Sequence, residues 1–149
     1  MTTDLDTLVE RPLSAADYDR LLALWELAGL HIRPTGRDSR AAFVRQMTGQ
    51  TQAAIGLWQG AELVAVALAT HDGRRGYINR LAVAPAFRRR GLARRLITAC
   101  ERWFASLGLE VWSALIENWN DASFAAFAAA GYHRHTDITY LSKRQRPDA

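Results

Sequence analysis

Apolar residues recur every three or four positions in four parts of the chain, and this spacing is typical of helices that bury one face. In the first part the apolar positions are Leu21, Leu24, Trp25 and Ala28, and Gly29 follows as a helix stop. We therefore predict four helices, which cover residues 15–28, 39–49, 91–107 and 121–130.

Shorter apolar runs bounded by turn residues predict strands between these helices. The predicted strands cover residues 7–13, 51–58, 62–70, 76–84 and 109–116, and a final hairpin covers residues 132–143. Gly60, Asp72 and Gly73 mark tight turns, so the second, third and fourth strands form an antiparallel meander. Pro85 prevents the fourth strand from continuing. The order of elements predicts an α/β (α+β) fold, in which helices cover both faces of a mixed sheet.

Length and composition fit a single domain over residues 1–149. The chain is 49% hydrophobic and 23% charged, which allows one core over about residues 7–144 and leaves a loose C-terminal tail. No apolar run reaches the length of about 18 residues that a membrane-spanning helix needs. The single cysteine, Cys100, excludes an internal disulfide and a multi-cysteine zinc site. We predict a cytoplasmic protein with no metal site and no membrane partner.

The positive charge of the chain is concentrated in one short segment. The formal net charge is +4, from 19 basic and 15 acidic residues, and five arginines fall between positions 88 and 95. Without those five, 14 basic residues face 15 acidic ones, so the rest of the chain is nearly neutral. A nucleic-acid partner is not expected, because its backbone requires basic residues spread along a surface with aromatic residues among them. A compact anionic ligand fits better.

These arginines lie between a strand and a helix. Pro85 ends the strand, and Gly91 and Ala93 open the helix. A helix N-terminus has up to four unpaired backbone N–H groups and the positive end of the helix dipole, so it binds anions. The small residues let phosphate oxygens reach the backbone, and the guanidinium groups add donors. The segment matches neither common nucleotide loop, so we predict a diphosphate on another carrier.

A resemblance to a known family rests on this segment. Arg88, Gly91 and Ala93 fit the pattern Gln/Arg-x-x-Gly-x-Gly/Ala at a helix start, and the chain here resembles the GCN5-related N-acetyltransferase (GNAT) family. The preceding run, residues 81–85, looks like that family's bulged strand, whose backbone takes the pantetheine arm of acetyl-CoA. The resemblance covers about residues 7–144. It implies the GNAT fold, a mixed and mostly antiparallel sheet of about seven strands with a splayed central pair.

The resemblance also assigns residues to acetyl-CoA as cosubstrate. Asn120 lies eleven residues before Gly131 and Tyr132, which is similar to a second conserved block of the family. Asn120 is equally a candidate N-cap for the last helix, and the two roles are compatible. The expected contacts to acetyl-CoA are Leu81, Ala82, Val83, Arg88, Arg89, Arg90, Gly91, Leu92, Ala93, Arg94, Asn120 and Phe127.

Acetyl transfer to an amine needs a donor for the oxyanion, a proton for the leaving thiolate and a base for the amine. The resemblance places the oxyanion donor at the backbone amide near Val83. Phe127 stands where many relatives have a Tyr as general acid, so that acid is absent. Asn79 and Arg80 stand where many relatives have an acidic base. Glu117, at the end of the fifth strand, is the remaining candidate base, although an exposed carboxylate without a role is an alternative reading.

The acceptor side is expected at the first helix, the loop after it and the middle of the fourth strand. The candidate residues are Trp25, Arg33, Arg37, Asn79 and Arg80, with His31 and Asp38 beside them. Arginines in that loop suit an acceptor with a carboxylate or phosphate. The predicted function is transfer of the acetyl group to a primary amine of a small molecule or a protein N-terminus. A non-catalytic acetyl-CoA-binding or sensor module is the alternative, and a homodimer is left open.

Overall fold

The computed structural model describes residues 7–149, and it contains five strands and four α-helices within that range. The elements in chain order are β1 (Val9–Pro12), α1 (Tyr18–Ala28), α2 (Arg40–Thr48), β2 (Gln52–Gln59), β3 (Glu62–His71), β4 (Gly76–Val83), α3 (Leu92–Ser106), β5 (Trp112–Ala114) and α4 (Asp121–Ala129). Single 3₁₀ turns precede α1 and α3. None of the helices within residues 7–149 is long and apolar enough to cross a membrane.

The strands form one sheet in the order β1-β2-β3-β4-β5. Neighbours from β1 to β4 are antiparallel, whereas β5 runs parallel to β4. The parallel pairing extends only from Gly76 with Trp112 to Ile78 with Ala114, although β4 continues to Val83. The two strands therefore part halfway along β4, which is the predicted splay.

Both faces of the sheet are covered. Seven consecutive residues of β3, from Leu63 to Ala69, are buried, and successive side chains of a strand point to opposite faces. Helices α1 and α3 both pack against β3 and β4. At Gly76 a Cβ atom would lie 2.5 Å from the ring of Phe104 on α3, so this position requires glycine. Most of the buried hydrophobic residues form one cluster.

The predicted hairpin over residues 132–143 is wrong, and the sheet has five strands rather than about seven. Residues 133–143 form no strand, and Ile138, Tyr140 and Leu141 are 69%, 70% and 87% exposed. A strand needs a neighbour for its backbone hydrogen bonds, and this segment has none in the described chain. The fifth strand is also shorter than predicted, because only three of its residues pair with β4.

Candidate active site

The splay coincides with a β-bulge in β4. Asn79 pairs with Leu68 and Ala82 pairs with Val66, so two residues of β4 face one residue of β3. Beyond Ile78, none of the strands within residues 7–149 lies on the β5 side of β4. Because the bulge lies where β5 separates from β4, backbone groups of β4 are exposed to the gap between the two strands. The sequence resemblance predicted the pantetheine contacts at this gap.

The end of β4 offers a backbone donor to this gap. The N–H of Ala84 donates to the carbonyl of Val64 on β3 at 2.8 Å. Successive backbone N–H groups of an extended chain point in opposite directions, so the N–H of Val83 points to the side that β5 has left. Val83 and Leu81 are half-buried, and Ala82 is 2% exposed.

The turn after β4 presents a run of unpaired amides. The six backbone N–H groups from Arg89 to Arg94 donate to no acceptor in the described part of the chain. Four such groups are ordinary at a helix start, and the turn adds two more. Gly91 has a φ of +78°, and apart from its chain neighbours no atom lies within 4 Å of the Cβ that it lacks. Leu92 is buried and Ala93 is half-buried, so the turn is anchored on the core while its amides remain open.

The arginines of this segment divide into two kinds. Arg88 donates from Nε to the carbonyl of Val83 at 3.3 Å and from its terminal nitrogen to the carbonyl of Ala28 at 3.1 Å. Arg94 donates to the carbonyl of Ala129 at the end of α4. Arg89 and Arg90 are exposed, and their guanidinium groups form no hydrogen bond or ion pair with the described residues. Arg88 and Arg94 therefore brace the turn, and the other two are available to a ligand.

Two further predicted contacts lie on α4. Asn120 is the N-cap of this helix, and its Oδ1 accepts the N–H of Ser123 at 3.2 Å. Phe127 is 5% exposed and packs edge-to-face on Tyr132 at a centroid distance of 5.0 Å. The Arg94 contact with the end of α4 brings this helix against the start of α3.

Tyr132 packs its ring on Phe127, and the sequence did not mark it as functional beyond its place in the motif. Its hydroxyl donates to Glu101 of α3 at 2.9 Å. Burial, and then the hydrogen bond with Glu101, raise the pKa of Tyr132. The hydroxyl is already committed to a carboxylate, so it does not replace the missing general acid.

Glu117 is exposed and lies three residues after β5. Its carbonyl accepts the N–H of Asn120 at 2.9 Å in the turn that leads into α4. The pairing of Ile78 with Ala114 is the last between β4 and β5. Asn79 follows this pair on β4, and Glu117 follows it on the chain that leaves β5. This placement is consistent with a carboxylate at the mouth of the gap.

Only some of the residues predicted for the acceptor side lie where a ligand could reach them. Trp25 is 1% exposed and belongs to the core, so its ring is not part of the surface. Asn79 donates to the Thr70 hydroxyl at 2.9 Å and to the carbonyl of Tyr77 at 3.2 Å. Arg37 is exposed, and Arg33 is half-buried with its Nε unpaired.

Arg80 reaches across to the loop between α1 and α2. It donates to the carbonyl of His31 at 2.7 Å and to Oδ2 of Asp38 at 2.8 Å. The C-terminal residues hold the other side of this loop, because Asp148 accepts the Thr35 hydroxyl at 3.0 Å and Arg146 donates to the Thr35 carbonyl at 2.9 Å. No feature of the sequence predicted that contact from a tail expected to be loose.

Comparisons with known proteins agree with this geometry. Residues 14–132 match the sequence model of the Acetyltransferase (GNAT) family. The aminoglycoside N-acetyltransferase AAC(6')-Iy, in complex with a bisubstrate analogue, superposes with a TM-score of 0.76 at 19% identity, covering 92% of this chain and 98% of that one. A predicted acetyltransferase from Clostridium acetobutylicum with acetyl-CoA gives 0.77 at 12% identity, covering 91% and 96%.

A third structure, the ribosomal-protein-S18-alanine N-acetyltransferase from Escherichia coli, gives a TM-score of 0.74 at 19% identity and covers 87% of this chain and 79% of that one. At these identities the structures establish a shared fold, and the family match extends over most of the chain. The predicted fold class, the acetyltransferase class and acetyl-CoA as cosubstrate are confirmed at the level of the family. The chain belongs to the acetyltransferase (GNAT) family.

Proposed function

We propose that the protein transfers the acetyl group of acetyl-CoA to a primary amine by direct attack of the amine on the thioester. The observation that carries this proposal is the run of unpaired amides from Arg89 to Arg94, which stands beside the gap where β4 and β5 part. Backbone amides at a helix start are suited to a diphosphate, and the gap is suited to an extended arm. Phosphates and thioester are then held by neighbouring parts of one strand and one helix.

We assign the contacts to acetyl-CoA from the backbone N–H groups and guanidinium groups that have no hydrogen-bond partner in the described chain. The amides of the turn take the diphosphate, and Arg89 and Arg90 add charge at its edge. The segment Leu81, Ala82 and Val83 lies along the pantetheine arm on the open side of β4, with the Val83 N–H pointing to that side. Phe127, with Asn120 at the start of the same helix, lies beside the thioester end. The sequence-based contacts are kept except for the guanidinium groups of Arg88 and Arg94, which brace the turn.

The chemistry requires one bond to form and one to break. The amine nitrogen attacks the thioester carbon, the carbon–sulfur bond breaks, and the thiolate of coenzyme A leaves. The Val83 N–H supplies a donor for the developing oxyanion. Glu117 accepts the proton that the acceptor ammonium loses before its nitrogen attacks, and the second proton of the nitrogen passes to water as the thiolate leaves. A thiol with a pKa of about 8.5 leaves as a thiolate without a protein acid, which fits the apolar Phe127 in the usual place of a Tyr.

The acceptor is an amine on a small molecule or at a protein N-terminus. The solved relatives include an aminoglycoside acetyltransferase and an enzyme named for an alanine of a ribosomal protein, so the fold serves both kinds of acceptor. In this chain the carboxylate of Asp38 is paired with Arg80, while Arg33 and Arg37 form no ion pair with the described residues. We propose an acceptor with a carboxylate or phosphate near its amine rather than a polycation.

An assay of thiol release tests the function. Purified protein is incubated with acetyl-CoA and a panel of amines that includes amino acids, N-terminal peptides, polyamines and aminoglycosides, and free coenzyme A is measured with a thiol reagent. Acceptor-dependent release is expected, with a preference for amines that carry an anionic group. Tight binding of acetyl-CoA without release in any mixture would support the non-catalytic module instead. The predicted cytoplasmic location stays a prediction.

We also propose that two copies of the chain associate. β5 is an edge strand of the sheet, and residues 135–143 form no hydrogen bond, ion pair or ring contact with the rest of the described chain. Ile138, Tyr140 and Leu141 are exposed there. In a two-fold dimer, the segment over residues 135–143 of each copy can pair with the open β5 edge of the other copy.

A further inference from the structure

Arg80 adopts an unusual backbone conformation in the centre of the site. Its φ is +50°, which favours glycine, and it occupies the β-bulge between the pairs Asn79 with Leu68 and Ala82 with Val66. Non-glycine residues persist in this region when the surrounding structure holds them there, and such positions cluster at functional sites. The side-chain contacts of Arg80 can therefore hold the bulge in this conformation.

Asp38 receives those contacts and joins three parts of the chain. Its Oδ2 accepts the backbone N–H of Arg33 at 2.7 Å and the guanidinium of Arg80 at 2.8 Å. Its carbonyl accepts the hydroxyl of Tyr18 from α1 at 2.7 Å, and its N–H donates to the Arg33 carbonyl at 3.0 Å. Asp38 is 7% exposed, and among the described residues it is the one charged residue classed as buried.

Arg80 makes a second contact to the same loop, since its other terminal nitrogen donates to the carbonyl of His31 at 2.7 Å. A planar guanidinium that bridges a carboxylate and a carbonyl fixes the orientation of the loop as well as its distance from the strand. A lysine at this position could hold one of these partners but not both in a fixed geometry.

We propose that Asp38 and Arg80 form a positioning clamp, which holds the loop of residues 30–38 against the β4 bulge so that the acceptor amine meets the thioester in register. This inference rests on the proposed function. The bulge leads directly into the backbone that we assign to the thioester, and the loop carries Arg33 and Arg37, which we assign to the acceptor. The clamp touches neither reacting atom, so both residues act through the groups they hold.

The clamp predicts which kinetic constant changes. The amides from Arg89 to Arg94 form no hydrogen bond with Asp38 or Arg80, so loss of the clamp should leave acetyl-CoA affinity unchanged. Misplacement of the amine by about 1 Å lowers the rate of the chemical step strongly. We expect a fall in kcat of about tenfold or more with acetyl-CoA affinity within about twofold of wild type.

The test compares Arg80→Gly, Asp38→Asn and the double variant. Glycine accepts the positive φ without strain, so Arg80→Gly removes the side chain while preserving the backbone of the bulge. Asp38→Asn keeps an oxygen for the Arg33 amide but removes the charge that pairs with Arg80. Arg74→Gly is the matched control, because Arg74 lies on the turn just before β4 and its exposed guanidinium has no partner among the described residues.

Amide hydrogen exchange and kinetics are measured on the same samples. Both single variants should speed exchange at Arg33 by about tenfold or more and lower kcat, and the double variant should lose no more than either single one. Arg80→Lys, which keeps the charge, should recover part of kcat. Arg74→Gly should match wild type in every measurement.

Unchanged kcat in Arg80→Gly, additive losses in the double variant, or a parallel loss of acetyl-CoA affinity would overturn the clamp. Wild-type protein that transfers no acetyl group would instead refute the proposed function. The exchange rates would still decide, without any activity, whether Arg80 and Asp38 hold the loop. If Arg80→Gly does not fold, the comparison of Arg80→Lys with Asp38→Asn serves in its place.

Discussion

Gly91 is the single position on which acetyl-CoA binding depends most directly. Its φ of +78° is unfavourable for a branched side chain, and the space around its missing Cβ is open to an approaching phosphate. We predict that Gly91→Val lowers acetyl-CoA affinity by about tenfold or more, because the valine would stand where phosphate oxygens meet the amides. Calorimetry measures the affinity.

The control for this change is Gly60→Val. Gly60, on the turn between β2 and β3, also has a positive φ of +59° and no atom within 4 Å of its missing Cβ. Backbone strain is therefore similar in the two variants, and only Gly91→Val should lose affinity. Equal affinity in both variants would remove the turn from the binding site.

Phe127 differs from the usual residue of the family by one hydroxyl group. We predict that Phe127→Tyr keeps or raises turnover, because the ring occupies the same space and the hydroxyl adds only a donor for the leaving thiolate. Phe124→Tyr, on the same helix but under the guanidinium of Arg134, is the control and should leave turnover unchanged. A large fall in turnover of folded Phe127→Tyr would show that the site requires an apolar wall there.

Glu117 is tested as the general base. Glu117→Gln should keep acetyl-CoA affinity and lower turnover at neutral pH by about 10² or more, with recovery as the pH approaches the pKa of the amine itself. Glutamine is nearly the same size, so packing is preserved. Glu110→Gln changes another exposed carboxylate, just before β5, and should have no effect. Wild-type turnover in Glu117→Gln would assign the proton transfer to water or to the substrate.

At the residue scale, local chemistry was predictable and long-range pairing was not. The turn around Gly91 could be identified because strand, proline, arginines and glycine are contiguous in sequence. The contact between Asp38 and Arg80 joins positions 42 residues apart and depends on a bulge that composition does not reveal. The expected contact of Arg88 with acetyl-CoA stays a prediction, and the sequence did not reveal that its guanidinium binds two backbone carbonyls.

At the scale of elements, the contacts of Arg88 join the end of β4 to the end of α1. We predict that Arg88→Ala lowers stability by about 1 kcal/mol, or Tm by about 2–4 °C, because two charge-assisted hydrogen bonds on an exposed side chain are lost. Arg89→Ala should leave Tm unchanged and reduce the salt dependence of acetyl-CoA affinity, since an exposed guanidinium acts through screened charge. Thermal unfolding and calorimetry at two salt concentrations separate these effects.

The same two variants test the division of the arginines into braces and ligands. If Arg88→Ala kept the wild-type Tm and Arg89→Ala lowered it, the roles assigned to the two side chains would be reversed. If neither changed the salt dependence, the helix amides alone would hold the phosphates.

Elements with their own periodicity were predicted well, and elements that need a partner were not. Helix α3 has a continuous apolar face, and its predicted and observed limits agree within one residue at each end. The segment over residues 132–143 has strand-like composition, but strand propensity is realised only when a neighbour completes the hydrogen bonds. For β5, only three residues find such a neighbour before the splay.

At the scale of the whole molecule, the sheet is open and has an edge strand on each side. β1 and β5 are its two edge strands, and exposed apolar residues lie beside both, with Val9 on β1 56% exposed and Leu115 after β5 66% exposed. Residues 135–143 follow α4 in the chain, expose Ile138, Tyr140 and Leu141, and form no hydrogen bond with the rest of the described residues. An edge and an unpaired strand-like segment in one chain favour association of copies.

We predict that the protein is a dimer at tens of micromolar concentration and that the β5 side forms the contact. Light scattering after size-exclusion chromatography should give the dimer mass for wild type and the monomer mass for Thr139→Pro, because proline removes a backbone donor from the segment and blocks strand pairing. Tyr140→Asp should also be monomeric, since a charge would be buried at the contact. Val9→Asp, on the opposite edge, is the control and should remain a dimer. A monomeric wild type, or a dimer lost only in Val9→Asp, would contradict this arrangement.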